Sequence, residues 1–209
     1  MMLGFFFTIP IWVESTPEAQ QRLTFATSSS QIIQQSTGKL SMTPTERARL
    51  AAMLDKPDMH QTLKDLQTIV WMEENRPIIE HYVRDEERAK EIAHWVYYYS
   101  HHFELEPALV LSVITVESHF DYQAKSRVGA RGLMQVMPFW KKELGSVDDN
   151  LFDIETNIRY GCAVLRHYIN RYGTLSRALS AYNGSLGRSR YPNKVYKAMQ
   201  KFQKNITNV

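Results

Sequence analysis

The segment "PALVLSVITVE", residues 107–117, constrains the fold of this chain more than any other stretch. Proline suits the first turn of a helix, and the residues that follow carry apolar groups on every helical face. A helix that is apolar all round must be surrounded by protein, so other elements have to pack on it from several sides. The segment therefore predicts a central, buried helix.

The patterns around this segment are helical as well. In "TPTE", Thr43 can cap a helix and Glu46 stands at the spacing of a capping box, and this helix should end before Pro57. Two further helices are predicted around "NIRYGCAVLRHYINRYG" and through "LSRALSAYN". Strand alternation of useful length is absent from the sequence, so we expect an all-α fold. Another helix is predicted by a buried stripe of apolar residues, namely Ala89, Ile92, Ala93, Val96 and Tyr97.

A helix is also predicted between the first of these and the stripe. Leu63, Leu66, Ile69 and Val70 recur at three-to-four spacing, which indicates an apolar helical face. Pro77 should kink or end this helix, because proline lacks the N–H that the helix needs and clashes with the preceding turn.

The chain is expected to begin with three segments before its main domain. Residues 1–15 are a candidate signal peptide, because they hold an uncharged run of secretory length that is too short to span a bilayer. No Lys or Arg precedes that run, so a buried or frayed N-terminus stays an alternative. Residues 16–42, rich in Ser, Thr and Gln, predict a linker, and residues 43–88 predict a small helical region before the main domain at 89–205.

Charge is distributed unevenly along the chain. Residues 1–120 carry 10 basic against 16 acidic side chains, whereas residues 121–209 carry 15 against 6. The C-terminal part should therefore favour an anionic partner. Nucleic acid is one candidate, although the basic residues are scattered and match no nucleic-acid module. A polymer bearing carboxylates would suit this charge equally well.

Neither cysteine nor histidine predicts a metal or redox site. The single cysteine, Cys162, excludes an internal disulfide and a cysteine-based zinc site, and we expect it to pack in the core. His101 and His102 are adjacent and cannot point the same way on a helix, and there is no H-E-x-x-H motif. No metal and no cofactor are expected.

Glu117 ends the apolar helix and is the candidate chemical group. It shares one helical face with Val110, Val113 and Ile114, so its carboxylate follows an apolar stripe. Desolvation raises the pKa of a carboxyl group, and the negative end of a helix disfavours its ionised form by about 0.3 to 1 kcal/mol. A protonated Glu is a proton donor. The alternative is that the helix ends here and the side chain reaches water.

Five short motifs connect this acid with a known family. In order and spacing the chain resembles the family 1 soluble lytic transglycosylases, which cleave the glycan strands of bacterial peptidoglycan on a lysozyme-like helical domain. The resemblance runs from about Ala89 to about Phe202. The motifs are Glu117-Ser118 with Phe120, "GLMQVMP" at 132–138, "NIRYGCAVL" at 157–165, "AYN" at 181–183 and "RYPNKV" at 190–195.

The resemblance implies the chemistry. Glu117 would protonate the oxygen that leaves N-acetylmuramic acid and then take a proton from the attacking hydroxymethyl group of the same sugar, which closes a 1,6-anhydro ring. Ordinary glycoside hydrolases need two carboxylates for their reaction, whereas this one needs a single carboxyl group.

The resemblance also implies a set of substrate-binding residues. Ser118 would position the substrate, although a hydroxyl at a helix end often bonds the backbone instead. Gly132 would let the backbone approach a sugar, and Tyr191 would touch the catalytic carboxyl with its hydroxyl group. Without the resemblance Met134 would be assigned to the core. The full set is Ser118, Gly132, Met134, Gln135, Tyr182, Asn183 and Tyr191.

The chain departs from the family pattern at three places. Gly184 and Ser185 follow "AYN" where Ala-Gly is common, and Pro192 replaces an apolar residue after the tyrosine. The third departure is that the bulky pair Phe139 and Trp140 follows Pro138, which would narrow or extend the cleft.

Three further acids are assigned local roles. Asp121 could be imagined as a second catalytic carboxylate, which would indicate a hydrolysing lysozyme, but a turn or capping role is favoured. Asp153 and Glu155 are expected to be acids at the start of the helix that follows them.

The sequence therefore predicts a peptidoglycan lytic transglycosylase. A hydrolysing lysozyme-like muramidase and a catalytically silent peptidoglycan-binding module are the alternatives, and a helical nucleic-acid or metal protein ranks last. The expected partner is the glycan strand, with no nucleic acid and no stable membrane span, and a cell-wall or secretion-system assembly is a further candidate. Such a substrate implies a soluble, periplasmic or secreted protein.

Overall fold

The computed structural model describes residues 42–52, 54 and 66–203. Residues from Met42 onward belong to one compact unit. The described residues contain no strand beyond isolated bridges of Arg131 with Lys125 and Val136, which confirms the all-α expectation. Their helices are α1 (Pro44–Ala52), α2 (Leu66–Tyr82), α3 (Glu86–His102), α4 (Pro107–Glu117), α5 (Phe139–Leu144), α6 (Ile154–Tyr172), α7 (Leu175–Tyr182) and α8 (Arg190–Gln203).

Some predictions fall on other residues. The candidate signal peptide at 1–15 and the predicted linker up to residue 41 lie outside the described residues, as does Leu63. The division at residues 88 and 89 stays a prediction.

Helix α4 is the central helix that its sequence predicts. Every residue from Ala108 to Thr115 is buried, and α3 and α8 pack against it. Proline occupies its first turn, and Ser118 caps its C-terminal end with a backbone N–H bonded to the carbonyl of Ile114. The carboxyl group of Glu117 therefore stands at the end of a helix that the core fixes in place.

Local signals mark the start of α1 and both ends of α6. The amide of Thr43 donates to Glu46 Oε2 at 2.8 Å and the amide of Glu46 donates to Thr43 Oγ1 at 3.2 Å, which completes the predicted capping box. Asp153 caps α6 by accepting from the amide of Thr156 at 2.9 Å. Helix α6 ends at Gly173, whose φ of 69° favours glycine.

Helix α2 corrects the prediction made for its apolar face. Pro77 does not end the helix, which runs on to Tyr82, and the alternative of a kink at Pro77 stays a prediction. Proline has no N–H to donate to the carbonyl one turn earlier in the helix. Because Pro77 is exposed, that carbonyl faces the solvent side of the helix. Ile69 and Val70 are 45% and 47% exposed, whereas Ile79 is fully buried. The helix is thus rotated relative to the predicted stripe.

Helices α5 and α8 are not among the predicted elements. Helix α8 packs on α4 and α7 and buries Tyr191, Pro192, Val195, Ala198 and Phe202. The predicted stripe on α3 is confirmed, since its five apolar residues are all buried. Cys162 is fully buried and packs in the core as expected.

Glu155 lies in the first turn of α6, near the helix start as expected. Its side chain is only 8% exposed. Arg159 forms an ion pair with it at 2.9 Å, and the hydroxyl of Tyr99 donates to the same carboxylate. Arg159 also donates to the carbonyl of Leu54 at 2.6 Å. This buried pair therefore ties the segment after α1 to α6.

Candidate active site

Glu117 lies half-buried at the end of α4, with apolar helix on one side of it. Burial raises the pKa of its carboxyl group to about 7, because a charged carboxylate is poorly solvated there. At neutral pH both the protonated and the ionised forms are then populated. The sequence predicts that burial beside the apolar stripe raises the pKa of Glu117, and the structure agrees with this expectation.

Tyr191 in the first turn of α8 contacts this carboxyl group directly. Its hydroxyl donates to Glu117 Oε1 at 2.6 Å, and this hydrogen bond lowers the pKa of Glu117 and so opposes burial. The ammonium group of Lys194, one turn further along α8, lowers it as well. Burial and the charge of Glu117 raise the pKa of Tyr191 well above its usual value, so the tyrosine stays a donor.

Ser118 joins the end of α4 to the loop before α5. Its hydroxyl contacts the carbonyl of Leu133 at 2.8 Å and the carbonyl of Ile114 at 3.3 Å. Both are backbone partners, as in the alternative role given to this serine. Its predicted role toward substrate stays a prediction.

Asn157 organises that loop and was missed as an individual site residue. Its side chain is 1% exposed. Its Oδ1 accepts from the amide of Met134 at 2.7 Å, and its Nδ2 donates to the carbonyls of Arg131 and Leu151 at 2.8 and 2.7 Å. The sequence does hold a signal for this role, because a side-chain amide on the apolar face of a helix is buried and needs hydrogen-bond partners there.

Gly132 is required by this arrangement. Its φ is 72°, and a Cβ atom there would stand 2.3 Å from Asn157 Nδ2 and 2.5 Å from the carbonyl oxygen of Leu151. The close approach that the glycine permits is therefore to protein. An approach to a sugar stays a prediction.

Met134 lies between this loop and α6. Its side chain is fully buried, and a Cβ atom on Gly161 would stand 2.3 Å from its Sδ atom. The side chain thus packs in the core, and its predicted contact with substrate stays untested. The carbonyl of Met134 accepts from the hydroxyl of Tyr182 at 2.8 Å, which ties the last residue of α7 to the loop.

The two predicted amides differ in their surroundings. Gln135 has a φ of 49°, and its Nε2 donates to the carbonyls of Ala124 and Gly132 at 3.1 and 3.0 Å, so its amide is fixed against the loop. Asn183 is exposed at the C-terminal end of α7, where its Oδ1 accepts from Ser185 Oγ at 3.4 Å. The structure thus connects Gln135 to the loop, whereas Asn183 stands in solvent.

Electrostatics connect the tyrosines to the acid. The charge of Glu117 contributes, after burial, to raising the pKa of Tyr182 well above its usual value. Within the described residues, the groups that shift the pKa of Glu117 besides burial are Tyr191 and Lys194, and no carboxylate is among them. Asp121 is exposed and accepts from the amide of Gln123 at 2.9 Å, which is the local turn role predicted for it.

Two features are absent from the part of the chain that the structure describes. It contains no cluster of three or more His, Cys, Asp or Glu side chains that would hold a metal ion. None of its helices is long and apolar enough to cross a lipid bilayer.

Comparison with known proteins agrees with this geometry. The profile of the transglycosylase SLT domain matches residues 96–205. The transglycosylase of Enterobacteria phage PRD1 is 39% identical over 104 residues, which cover 50% of this chain and 38% of that protein. The membrane-bound lytic murein transglycosylase F of Desulfosudis oleivorans is 35% identical over 98 residues, 44% of this chain and 21% of that protein. The matched segment spans less than half the length of each relative.

Proposed function

This chain belongs to the transglycosylase SLT domain family, and from that premise we propose that it is a peptidoglycan lytic transglycosylase. It cleaves the β-1,4 bond between N-acetylmuramic acid and N-acetylglucosamine and leaves a 1,6-anhydro sugar. Two relatives named transglycosylase and lytic murein transglycosylase support the substrate class.

The observation that carries the proposal is the pair formed by Glu117 and Tyr191. A carboxyl group with a pKa of about 7 can both release and accept a proton at neutral pH. A hydrogen bond of 2.6 Å from a neutral tyrosine fixes one of its oxygens. Such a group suits a reaction in which one residue acts first as the acid and then as the base.

The first step is protonation of the leaving group. The hydroxyl of Tyr191 already donates to Oε1 of Glu117, so the acidic proton belongs on Oε2. From there it passes to the glycosidic oxygen as the bond from that oxygen to C1 of N-acetylmuramic acid breaks. Glu117 is then a carboxylate, which the Tyr191 hydroxyl and the Lys194 ammonium stabilise.

The second step closes the anhydro ring. The O6 hydroxyl oxygen of the same N-acetylmuramic acid forms a bond to C1, and its proton passes to the Glu117 carboxylate. Glu117 is restored in its protonated form, and no water is consumed. A second carboxylate to activate water or to attack the sugar is therefore not needed.

The substrate determines where the protein acts. Peptidoglycan lies outside the cytoplasmic membrane, so we place the reaction in the periplasm or outside the cell. Participation in a cell-wall or secretion-system assembly remains a prediction from the sequence.

Digestion of purified sacculi, followed by mass spectrometry of the products, tests the proposal. We expect muropeptides that end in anhydro sugars and are lighter by one water than reducing products. Reducing ends without anhydro sugars would identify a hydrolysing muramidase instead. Retention on sacculi without release of products by the wild-type protein would identify a binding module.

A further inference from the structure

A row of aromatic rings lies outside the site described above, and we call it the aromatic strip. Its rings belong to Phe139 and Trp140 of α5 and to Tyr168 and Tyr172 of α6. Centroids are 5.2 Å apart between Phe139 and Trp140, 6.2 Å between Trp140 and Tyr168, and 6.1 Å between Tyr168 and Tyr172. The rings of Tyr168 and Tyr172 are stacked.

The rings of the strip differ in their exposure. Trp140 is 3% exposed, whereas Phe139 is 44% exposed. Tyr168 and Tyr172 are half-buried, so part of each ring stays in contact with solvent. Burying a large ring only in part forgoes the stabilisation that full burial would give. A row of such rings is therefore a candidate binding surface.

The strip is continuous with the proposed catalytic site. The ring of Tyr182 lies 6.5 Å from that of Tyr168, in an edge-to-face arrangement. Tyr182 in turn bonds the carbonyl of Met134 and is influenced by the charge of Glu117. Contacts between neighbouring rings thus connect the strip to the elements that hold the acid.

Two cations stand at the far end of the strip. The guanidinium groups of Arg171 and Arg177 lie 5.9 and 5.7 Å from the centroid of the Tyr172 ring. Arg171 also lies near the carboxylate of Glu46, whose pKa it helps to lower. Both arginines are exposed. Because Arg171 already lies near a carboxylate, Arg177 is the better placed of the two to meet an anion.

We propose that the aromatic strip is a secondary subsite that holds the glycan strand at a distance from the bond being cleaved, with Arg177 meeting the carboxylates of the attached peptides. This inference rests on the proposed function. The C–H faces of pyranose rings pack on aromatic rings, and peptidoglycan carries acidic peptides at regular intervals along the strand. The aromatic rings of the strip suit the sugar faces, and the guanidinium group of Arg177 beside them suits the peptide carboxylates.

Binding measurements on the Glu117→Gln variant, which leaves substrate uncut, test this subsite. The probes are a peptide-free tetrasaccharide, long peptide-free glycan strands and long peptide-bearing strands. Phe139→Ala and Tyr172→Ala should each raise the Kd for long strands about threefold to tenfold. The Kd for the tetrasaccharide should rise less than the Kd for long strands, because a short ligand can occupy the catalytic site without covering the whole strip. Arg177→Gln should weaken binding of peptide-bearing strands only.

Tyr196→Ala is the matched control, since Tyr196 is a 36% exposed tyrosine on α8 and should change none of these values. Thermal melts of each variant establish that it is folded. Unchanged affinity for long strands in both aromatic variants, or an equal loss for the tetrasaccharide, would overturn the subsite while leaving the catalytic proposal intact. A Glu117→Gln parent that binds none of the probes would overturn the proposed function, and the subsite with it.

Discussion

At the scale of the residue, three influences determine the protonation of Glu117. Burial at the end of α4 favours the neutral form, whereas the Tyr191 hydroxyl and the Lys194 ammonium favour the charged form. Burial is the largest of them and places the pKa at about 7. An acid that must become a base in the same reaction works best when neither form is strongly preferred at the working pH.

Removing the tyrosine hydroxyl should shift this balance. Because that hydrogen bond lowers the pKa of Glu117, Tyr191→Phe should raise it, and the high-pH limb of the activity profile should move to higher pH. Loss of the contact should also slow cleavage about tenfold, since a hydrogen bond to a charged group contributes about 1.5 kcal/mol. The pH dependence of kcat/KM measures both effects. Tyr196→Phe on the same helix should match the wild type, and a profile of Tyr191→Phe that keeps its wild-type midpoint would contradict the assigned role.

The raised pKa of Glu117 also has a consequence for stability. Burying a protonated Glu117 costs little free energy, whereas burying its carboxylate costs more. With respect to this group, the folded state is therefore most stable below the ordinary glutamate pKa of 4.5, and it loses stability as the pH rises towards 7. Glu117→Gln has no charge to bury. It should therefore be more stable than the wild type above about pH 7, by up to about 3 kcal/mol, with no such advantage near pH 4.

Urea unfolding at the two pH values measures this difference. Glu74→Gln, which changes an exposed acid on α2, is the control. The same stability difference between Glu117→Gln and wild type at both pH values would show that the carboxyl group is not held in a desolvated state.

At the scale of the element, the sequence was informative wherever local chemistry determines the outcome. The capping box of Thr43, the apolar length of α4 and the glycine after α6 were all predicted because each depends on neighbours in the chain. The path of α2 through Pro77 was not, because packing from elsewhere holds a helix that proline alone would weaken. Helix α8 begins within the motif at 190–195 and α5 directly follows the motif at 132–138, but neither helix is predicted as an element.

The candidate site also contains residues that the sequence identifies and contacts that it does not. The motifs identified Glu117 and Tyr191, and the structure places their side chains in contact. They did not show that the amide of Asn157 holds the loop of Met134, since that contact joins residues 23 positions apart. Long-range hydrogen bonds of this kind leave no spacing pattern in a single sequence.

Asn157 should therefore be a stability determinant. Asn157→Ala would leave the amide of Met134 and the carbonyls of Arg131 and Leu151 without their partner in a buried position. We expect a loss of about 2 to 4 kcal/mol in the free energy of unfolding. Denaturant titration measures it, with Asn193→Ala, an exposed position on α8, as the control. A loss no greater than that of the control would show that the loop does not depend on this side chain.

At the scale of the whole molecule, the helices before residue 89 are packed on the rest of the described unit. The ring of Tyr82 stacks on Phe120 at 4.8 Å, and Trp71 lies 5.3 Å from Tyr97. Both partners belong to the predicted catalytic domain, and Phe120 follows Glu117 closely in the chain. Helix α2 therefore supports the elements that carry the acid.

Two fragments test the importance of this packing. A fragment of residues 89–205 exposes surface that α2 covers, including the neighbourhood of the fully buried Ile79. It should be less stable than a fragment of residues 42–209 by at least about 3 kcal/mol, on the basis of the apolar side chains that lose their partners. Urea unfolding compares the two. Equal stability would instead support an independent domain that begins at residue 89.

The most direct test of the account is the titration of Glu117 itself. Carbon-13 NMR of the side-chain carboxyl groups, with the Glu117 resonance assigned by its absence from the Glu117→Gln spectrum, follows its ionisation with pH. We expect a midpoint at about 7. A midpoint near the ordinary glutamate value of 4.5 would mean that the carboxyl group is solvated and ionised at neutral pH, and a single acid that also serves as the base would no longer be available.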